Sequence, residues 1–159
     1  MSLSKLNSIG LDKAKSEKLA EMLNELLSDY QVFYMNTRGY HWNVKGSDFF
    51  EMHAKYEEIY TALLTQIDEI AERVLTLGHT PLHSYTQYLL SPIKEHLNAT
   101  SSKECTEGLL SGFKLIIERE RAILELASDA GDEGTSALMS DYIREQEKLI
   151  WMLNASLHR

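Results

Sequence analysis

Both prolines of this 159-residue chain, Pro81 and Pro92, fall within one segment, and that placement limits the fold more than any other feature. Proline lacks a backbone donor and clashes with the preceding turn, so helices tend to stop before it. On either side of the segment the chain is free of proline, and apolar residues recur every three or four positions, the helical period. Leu19, Met22, Leu23, Leu26, Leu27, Tyr30, Phe33 and Tyr34 define a first helix. A second runs from residue 48 to about residue 77, with Met52, Tyr56, Ile59, Leu63, Ile67, Ile70 and Val74 on its apolar side. Asp48 followed by Glu51 resembles a capping box at its start, and Gly78 with Pro81 supplies the stop. Leu109, Phe113, Ile116, Ile117, Ile123 and Leu124 mark a third helix, and Leu138, Tyr142, Leu149, Leu153 and Leu157 a fourth. The segment from residue 79 to about residue 103 is long enough to cross from one end of a bundle to the other. Within it, residues 85–90 are expected as a short extra helix, and residues 131–134 mark the last turn. The expected fold is all-α, a four-helix bundle with one long crossover. At 18.2 kDa, residues 1–159 suit one domain.

Composition narrows the function classes. The formal charge of −8 works against generic nucleic-acid binding, which needs concentrated Lys and Arg, and favours attraction of cations. The single Cys105 excludes an internal disulfide framework and suits a reducing compartment. Residues 1–10 lack the apolar stretch of a secretion signal, and no run approaches a membrane span. A cytoplasmic protein is expected.

The chemistry-bearing residues lie on the second helix. At about 100° per residue, His53, Glu57, Asp68 and Glu72 fall at roughly 0°, 40°, 60° and 100° around the axis, along the edge of the buried face. A lone acid or histidine on a helix is ordinarily a solvated side chain. Four along one stripe, with His41 ahead of them, is a different observation. Yet Glu57 and Asp68 stand about 16 Å apart along a straight helix, too far to share one metal centre. The chain also lacks the Glu-x-x-His motif that di-iron bundles place within one subunit. Either the two pairs are unrelated, or each is completed from elsewhere. An antiparallel copy of the same helix, with a two-fold axis near Ala62 or Leu63, would set His53 and Glu57 against Glu72 and Asp68 of its mate. Each of two equivalent sites would then hold three carboxylates and, where His41 also reaches, two imidazoles. That set suits Fe(II), and it could also take zinc.

The segment 41–46 (His-Trp-Asn-Val-Lys-Gly), followed by Phe49 or Phe50, His53, Glu57, Asp68 and Ile70-Ala-Glu-Arg73, resembles the Dps family of mini-ferritins. The resemblance extends to the last helix, through Gly131, Asp132, Thr135, Leu138 and residues 150–152. It implies a ferritin-like bundle assembled as a hollow dodecamer, with dinuclear ferroxidase centres at two-fold interfaces. Fe(II) would be oxidised there by hydrogen peroxide or oxygen, and ferric mineral stored in the cavity, with protection against oxidative stress as a result. Carried over, His41, His53 and Glu57 would come from one subunit and Asp68 and Glu72 from its mate, with Trp42 beside the site as an electron donor or packing residue. The chain departs from the family at Glu57, where Asp is usual. It departs again at Ala137, where an acid is expected between Asp132 and Asp141, the acids that match the family's three-fold pore.

DNA binding in this family depends on a Lys/Arg-rich tail. Here Lys5, Lys13, Lys15 and Lys18 are the only cations in the first 18 residues, the last two assigned to the first helix. With no basic extension at residues 156–159, weak or absent DNA binding is expected. The competing readings are a DNA-coating nucleoid protein with incidental metals and a helical dimer stapled by zinc. His79, His83, His96 and His158 fall outside the ligand stripe, residues 118–121 read as a solvated helix face, and Met22 and Met139 read as core filler.

Overall fold

In the computed structural model, which describes residues 5–158, the chain folds as α1 (Lys13–Asn43), α2 (Phe49–Thr76), α3 (Tyr85–Tyr88), α4 (Ser102–Asp129) and α5 (Glu133–Ser156). Residues 1–4, part of the stretch read for a secretion signal, and the C-terminal Arg159 lie outside the described residues. The bundle consists of two antiparallel hairpins, α1–α2 and α4–α5, joined by the crossover. The apolar stripes meet in one core that includes Leu23, Tyr30, Phe33, Tyr56, Ile70, Phe113 and Ile123, all essentially solvent-free. Among the described residues no helix is long and apolar enough to cross a membrane.

Helix ends follow from local chemistry. The carboxylate of Asp12 accepts from the Lys15 amide and starts α1, so Lys13 as well as Lys15 and Lys18 lies on that helix. Ser101 caps α4 in the same way through the Glu104 amide, and Ser84 caps α3. The expected capping box on α2 is absent: Asp48 occupies the N-cap position without a side-chain bond to the backbone. Glu51 in that first turn remains favourably placed against the positive end of the helix dipole. At the far end of α2, Gly78 donates to Leu75 and His79 donates to Val74, the paired bonds of a Schellman stop. α1 continues well beyond its apolar stripe to Asn43, and this extension carries His41. The extra helix is shorter than expected, a single turn over Tyr85–Tyr88.

The crossover is held along α1 by three polar side chains. The Asn24 amide donates to the Thr80 carbonyl and accepts from the Leu82 amide. Asp29 accepts from the Ser91 hydroxyl at 2.6 Å, and Asn36 donates to Lys94 O and accepts from His96 N. Asp29 is buried, and desolvation raises its carboxyl above the usual range. The Ser91 hydroxyl and the Arg119 guanidinium, which also binds Glu25, act in the opposite direction. The chain then closes on the first hairpin through a bond from the Lys45 amide to the Thr100 carbonyl, 2.7 Å.

The final turn shows why residues 131–134 read Gly-Asp-Glu-Gly. Gly131 adopts φ 68° and closes a second Schellman stop, with Asp132 donating to Ala127. The Asp132 side chain then caps α5 through the Thr135 amide and hydroxyl, and pairs with Arg73 of α2 at 2.7 Å. The Arg73 guanidinium passes over Gly134, where a Cβ would lie only 2.7 Å from its nitrogens.

The core also contains a polar group that periodicity misassigned. Of residues 118–121, Glu118 and Arg121 are solvated as expected, whereas Arg119 and Glu120 are not. Glu120 is 0% exposed, facing Tyr30 and Gln146, and Arg119 is committed to Asp29 and Glu25. Glu120 continues the spacing of Phe113, Ile116 and Ile123, which is the pattern of a buried position.

Candidate metal centre

His41, from the last turn of α1, and His53, from the first turns of α2, are brought face to face by the short connection between these helices. Their rings stack with centroids 3.8 Å apart and planes 15° from parallel. Each Nδ1 lies 2.7 Å from the other residue's backbone carbonyl. A carbonyl only accepts, so both Nδ1 atoms carry hydrogen, and in the neutral rings each Nε2 is the atom with the lone pair. That is the tautomer a metal-binding imidazole requires, fixed by bonds of the kind that orient ligands from behind. Phe49 stacks on His53 and the Tyr60 ring stands edge-on to His41, excluding water from the other ring faces. Phe50, the alternative aromatic, is 82% exposed instead.

Glu57 follows His53 by one turn of α2 and is exposed. Asp68 and Glu72 form a second pair, again one turn apart and exposed, whose carboxyl groups hydrogen-bond to each other. That bond, together with the repulsion from Asp68, raises the Glu72 carboxyl above its usual value. Among the described residues of one protomer, no three His, Cys, Asp or Glu side chains converge as a metal site. The His41–His53–Glu57 group, which spans the end of α1 and the start of α2, and the Asp68–Glu72 pair further along α2 thus stay separate within one protomer.

Trp42 is 57% exposed beside His41, with the Arg38 guanidinium 4.7 Å from its ring centre. Arg38 also lies over Tyr34 and Tyr60, an aromatic cluster that reaches His41 through Tyr60. The sequence reading missed Arg38, Tyr34 and Tyr60 as neighbours of the site. Their signal was available in the one-turn spacing of residues 34, 38 and 42. Asp132 is a correction: it is 1% exposed and committed to Arg73, Thr135 and the α5 terminus, so its carboxylate is neither a surface acid nor free to line a pore. Asp141 is exposed on α5 and bonded to Arg144.

The ferritin-like domain family matches residues 20–159. A DNA protection during starvation protein from Porphyromonas gingivalis is 40% identical over 92% of this chain and 92% of that protein. A Dps crystal structure from Vibrio cholerae O1 superposes with TM-score 0.95 at 59% identity, covering 99% of each chain. The chain belongs to the Dps family. A second Dps structure, from Bacillus brevis, matches with TM-score 0.87 at 32% identity over 91% of this chain and 97% of that one. The Vibrio cholerae Dps is described as a member of a broad superfamily of ferritin-like diiron-carboxylate proteins. In the present Dps chain the carboxylates of Glu57, Asp68 and Glu72 lie exposed on α2 rather than in the bundle core.

Proposed function

We propose that this Dps protein oxidises Fe(II) and stores the ferric product, at centres formed by two antiparallel copies of α2 within a hollow dodecamer. The observation that carries the proposal is the exposed stripe of α2. Phe50, His53, Glu57, Leu64, Asp68, Glu72 and Leu75 are none of them buried, and all lie within about 100° of one another around the axis. Their positions pair about a midpoint between Ala62 and Leu63: His53 with Glu72, Glu57 with Asp68, and Phe50 with Leu75. A two-fold mate would cover exposed apolar side chains and complete both half-sets in one step. The Vibrio cholerae relative's membership of the diiron-carboxylate superfamily supports the same chemistry here.

Iron is substrate and cargo in this reading. The uncommitted Nε2 atoms of His41 and His53 retain Fe(II), while Glu57 with the mate's Asp68 and Glu72 compensates the charge gained on oxidation. Glu57 is one methylene longer than the usual Asp, a reach that suits it to the same position. Two Fe(II) ions lose one electron each, and hydrogen peroxide takes both electrons as its O–O bond breaks, leaving two hydroxides and no hydroxyl radical. Oxidative protection follows from the stoichiometry, in the cytoplasm where iron and peroxide meet. Zinc would compete for the same donors. At −8 per chain the shell repels duplex DNA, which disfavours a nucleoid-coating role.

The test is stopped-flow Fe(II) oxidation with peroxide or oxygen in a double variant, His41→Gly with His53→Gly. Peroxide-driven oxidation is expected to fall at least about tenfold with the oligomer intact by sizing. An unchanged rate would remove these histidines from the centre. A stable monomer would remove the shared site altogether.

A further inference from the structure

A groove of about 430 Å³ lies between α1, α2 and the start of the crossover, next to the Asp68–Glu72 pair. Its walls are mostly apolar, including Leu27, Leu64 and Ile67. Three lining residues carry ionisable groups, Asp68, His83 and Tyr88. The Tyr88 hydroxyl is occupied, donating to the Leu82 carbonyl at 2.7 Å. His83 is different. Its Nδ1 lies 3.0 Å from the Pro81 carbonyl, which can only accept, so Nδ1 carries the hydrogen and Nε2 holds the lone pair of the neutral ring. This repeats the tautomer lock of His41 and His53. The segment bearing His83 is also held in place: Asn24 grips Thr80 and Leu82 from α1, Tyr88 holds the Leu82 carbonyl, and Ser84 caps α3 immediately after. An exposed imidazole held this firmly, facing a groove shared with a carboxylate, is a preorganised donor.

We propose that His83 is an additional metal ligand, holding a divalent cation with Asp68 at a position adjoining the ferroxidase centre. This rests on the reading of Asp68 and Glu72 as iron ligands, and it supplies what that half-set lacks within its own chain, a nitrogen donor. Borderline divalent ions favour a mixed imidazole–carboxylate set over carboxylates alone. Among the described residues no third protein ligand joins these two, so water fills the remaining coordination and the ion is held loosely. A loosely held ion one step from Glu72 is suited to hand-over: Asp68 serves both positions, and the ion exchanges His83 for the nitrogens of the mate. The groove thereby becomes an outer loading position for Fe(II).

Co(II) tests this as a probe that binds such donors, absorbs visibly and does not oxidise during titration. Isothermal titration and visible spectra of the intact oligomer are compared for the wild type, His83→Gln and Asp68→Asn. The expected result is loss of one weak Co(II) per subunit in His83→Gln, with the tighter Co(II) retained, and loss of both classes in Asp68→Asn. Co(II)-soaked crystals should show an anomalous peak within bonding distance of His83 Nε2. Unchanged Co(II) number and affinity in His83→Gln, with Asp68→Asn still impaired, would overturn the role of His83 and leave the ferroxidase reading intact. No effect in either variant would overturn both.

Discussion

Glu120 is the residue whose environment departs furthest from its chemistry. Fully enclosed in the bundle, its carboxyl is pushed up to about 9, chiefly by desolvation. The bond from Tyr30 at 3.4 Å compensates weakly, and Oε1 of Glu120 and Oε1 of Gln146 have no partner. Tyr30 is raised in turn by its own burial and by the charge Glu120 would carry. The folded state therefore keeps a proton that the unfolded chain releases near 4.5. In the window between those values the folded state binds more protons, so stability falls as pH rises and the cost is complete above about 9. Glu120→Gln, which keeps the shape and removes the ionisation, should raise stability at neutral pH by about 1–3 kcal/mol. It should also flatten the decline between about pH 4.5 and 9, read by denaturant titration at several pH values and one protein concentration. Equal pH slopes for the two proteins would refute this account. At this scale the sequence was readable where residues declare themselves in pairs: His53, Glu57, Asp68 and Glu72 announced a stripe by spacing alone. Glu120 was passed over because an acid flanked by Glu118, Arg119 and Arg121 looks solvated until its place in the apolar period is weighed.

Among the elements, the α4–α5 turn shows what periodicity reveals and what it hides. The glycines located the turn, and both stops occur where Gly78 and Gly131 stand. Nothing in the spacing disclosed that Asp132 would be claimed three ways, by the α5 terminus, the Thr135 hydroxyl and Arg73. Family likeness suggested a pore acid, whereas burial assigns it to the hinge between helices. Asp132→Ala removes a cap and leaves a partly buried guanidinium without its partner, so a loss of about 2–4 kcal/mol is expected. Thermal unfolding of the oligomer should show a clear drop in Tm. An unaltered Tm would mean that Arg73 finds another acceptor. The crossover's path was legible only in outline. Its prolines excluded long helix, but the contacts of Asn24, Asp29 and Asn36 that lay it along α1 depend on partners more than 50 positions away in sequence, beyond any local pattern.

For the molecule as a whole, the proposed function makes the exposed stripe of α2 the link between assembly and activity. Leu64, 51% exposed, sits next to the midpoint about which the half-sets pair. An Asp there would place two carboxylates close together across the axis, where their repulsion and desolvation oppose association. Leu64→Asp should therefore yield smaller species by light scattering and lose peroxide-driven Fe(II) oxidation in parallel, while helical circular dichroism persists. Oxidation at the wild-type rate in a dissociated variant would contradict shared centres.

Cys105 carries a practical consequence. Its thiol is 0% exposed on α4, and burial raises it to about 11. The native fold therefore presents no accessible thiol to maleimides, although the chain contains one. A cysteine engineered at any exposed position would be the sole labelling handle. Fluorophores or tethers could then be attached at one chosen point per chain, without first removing the native residue.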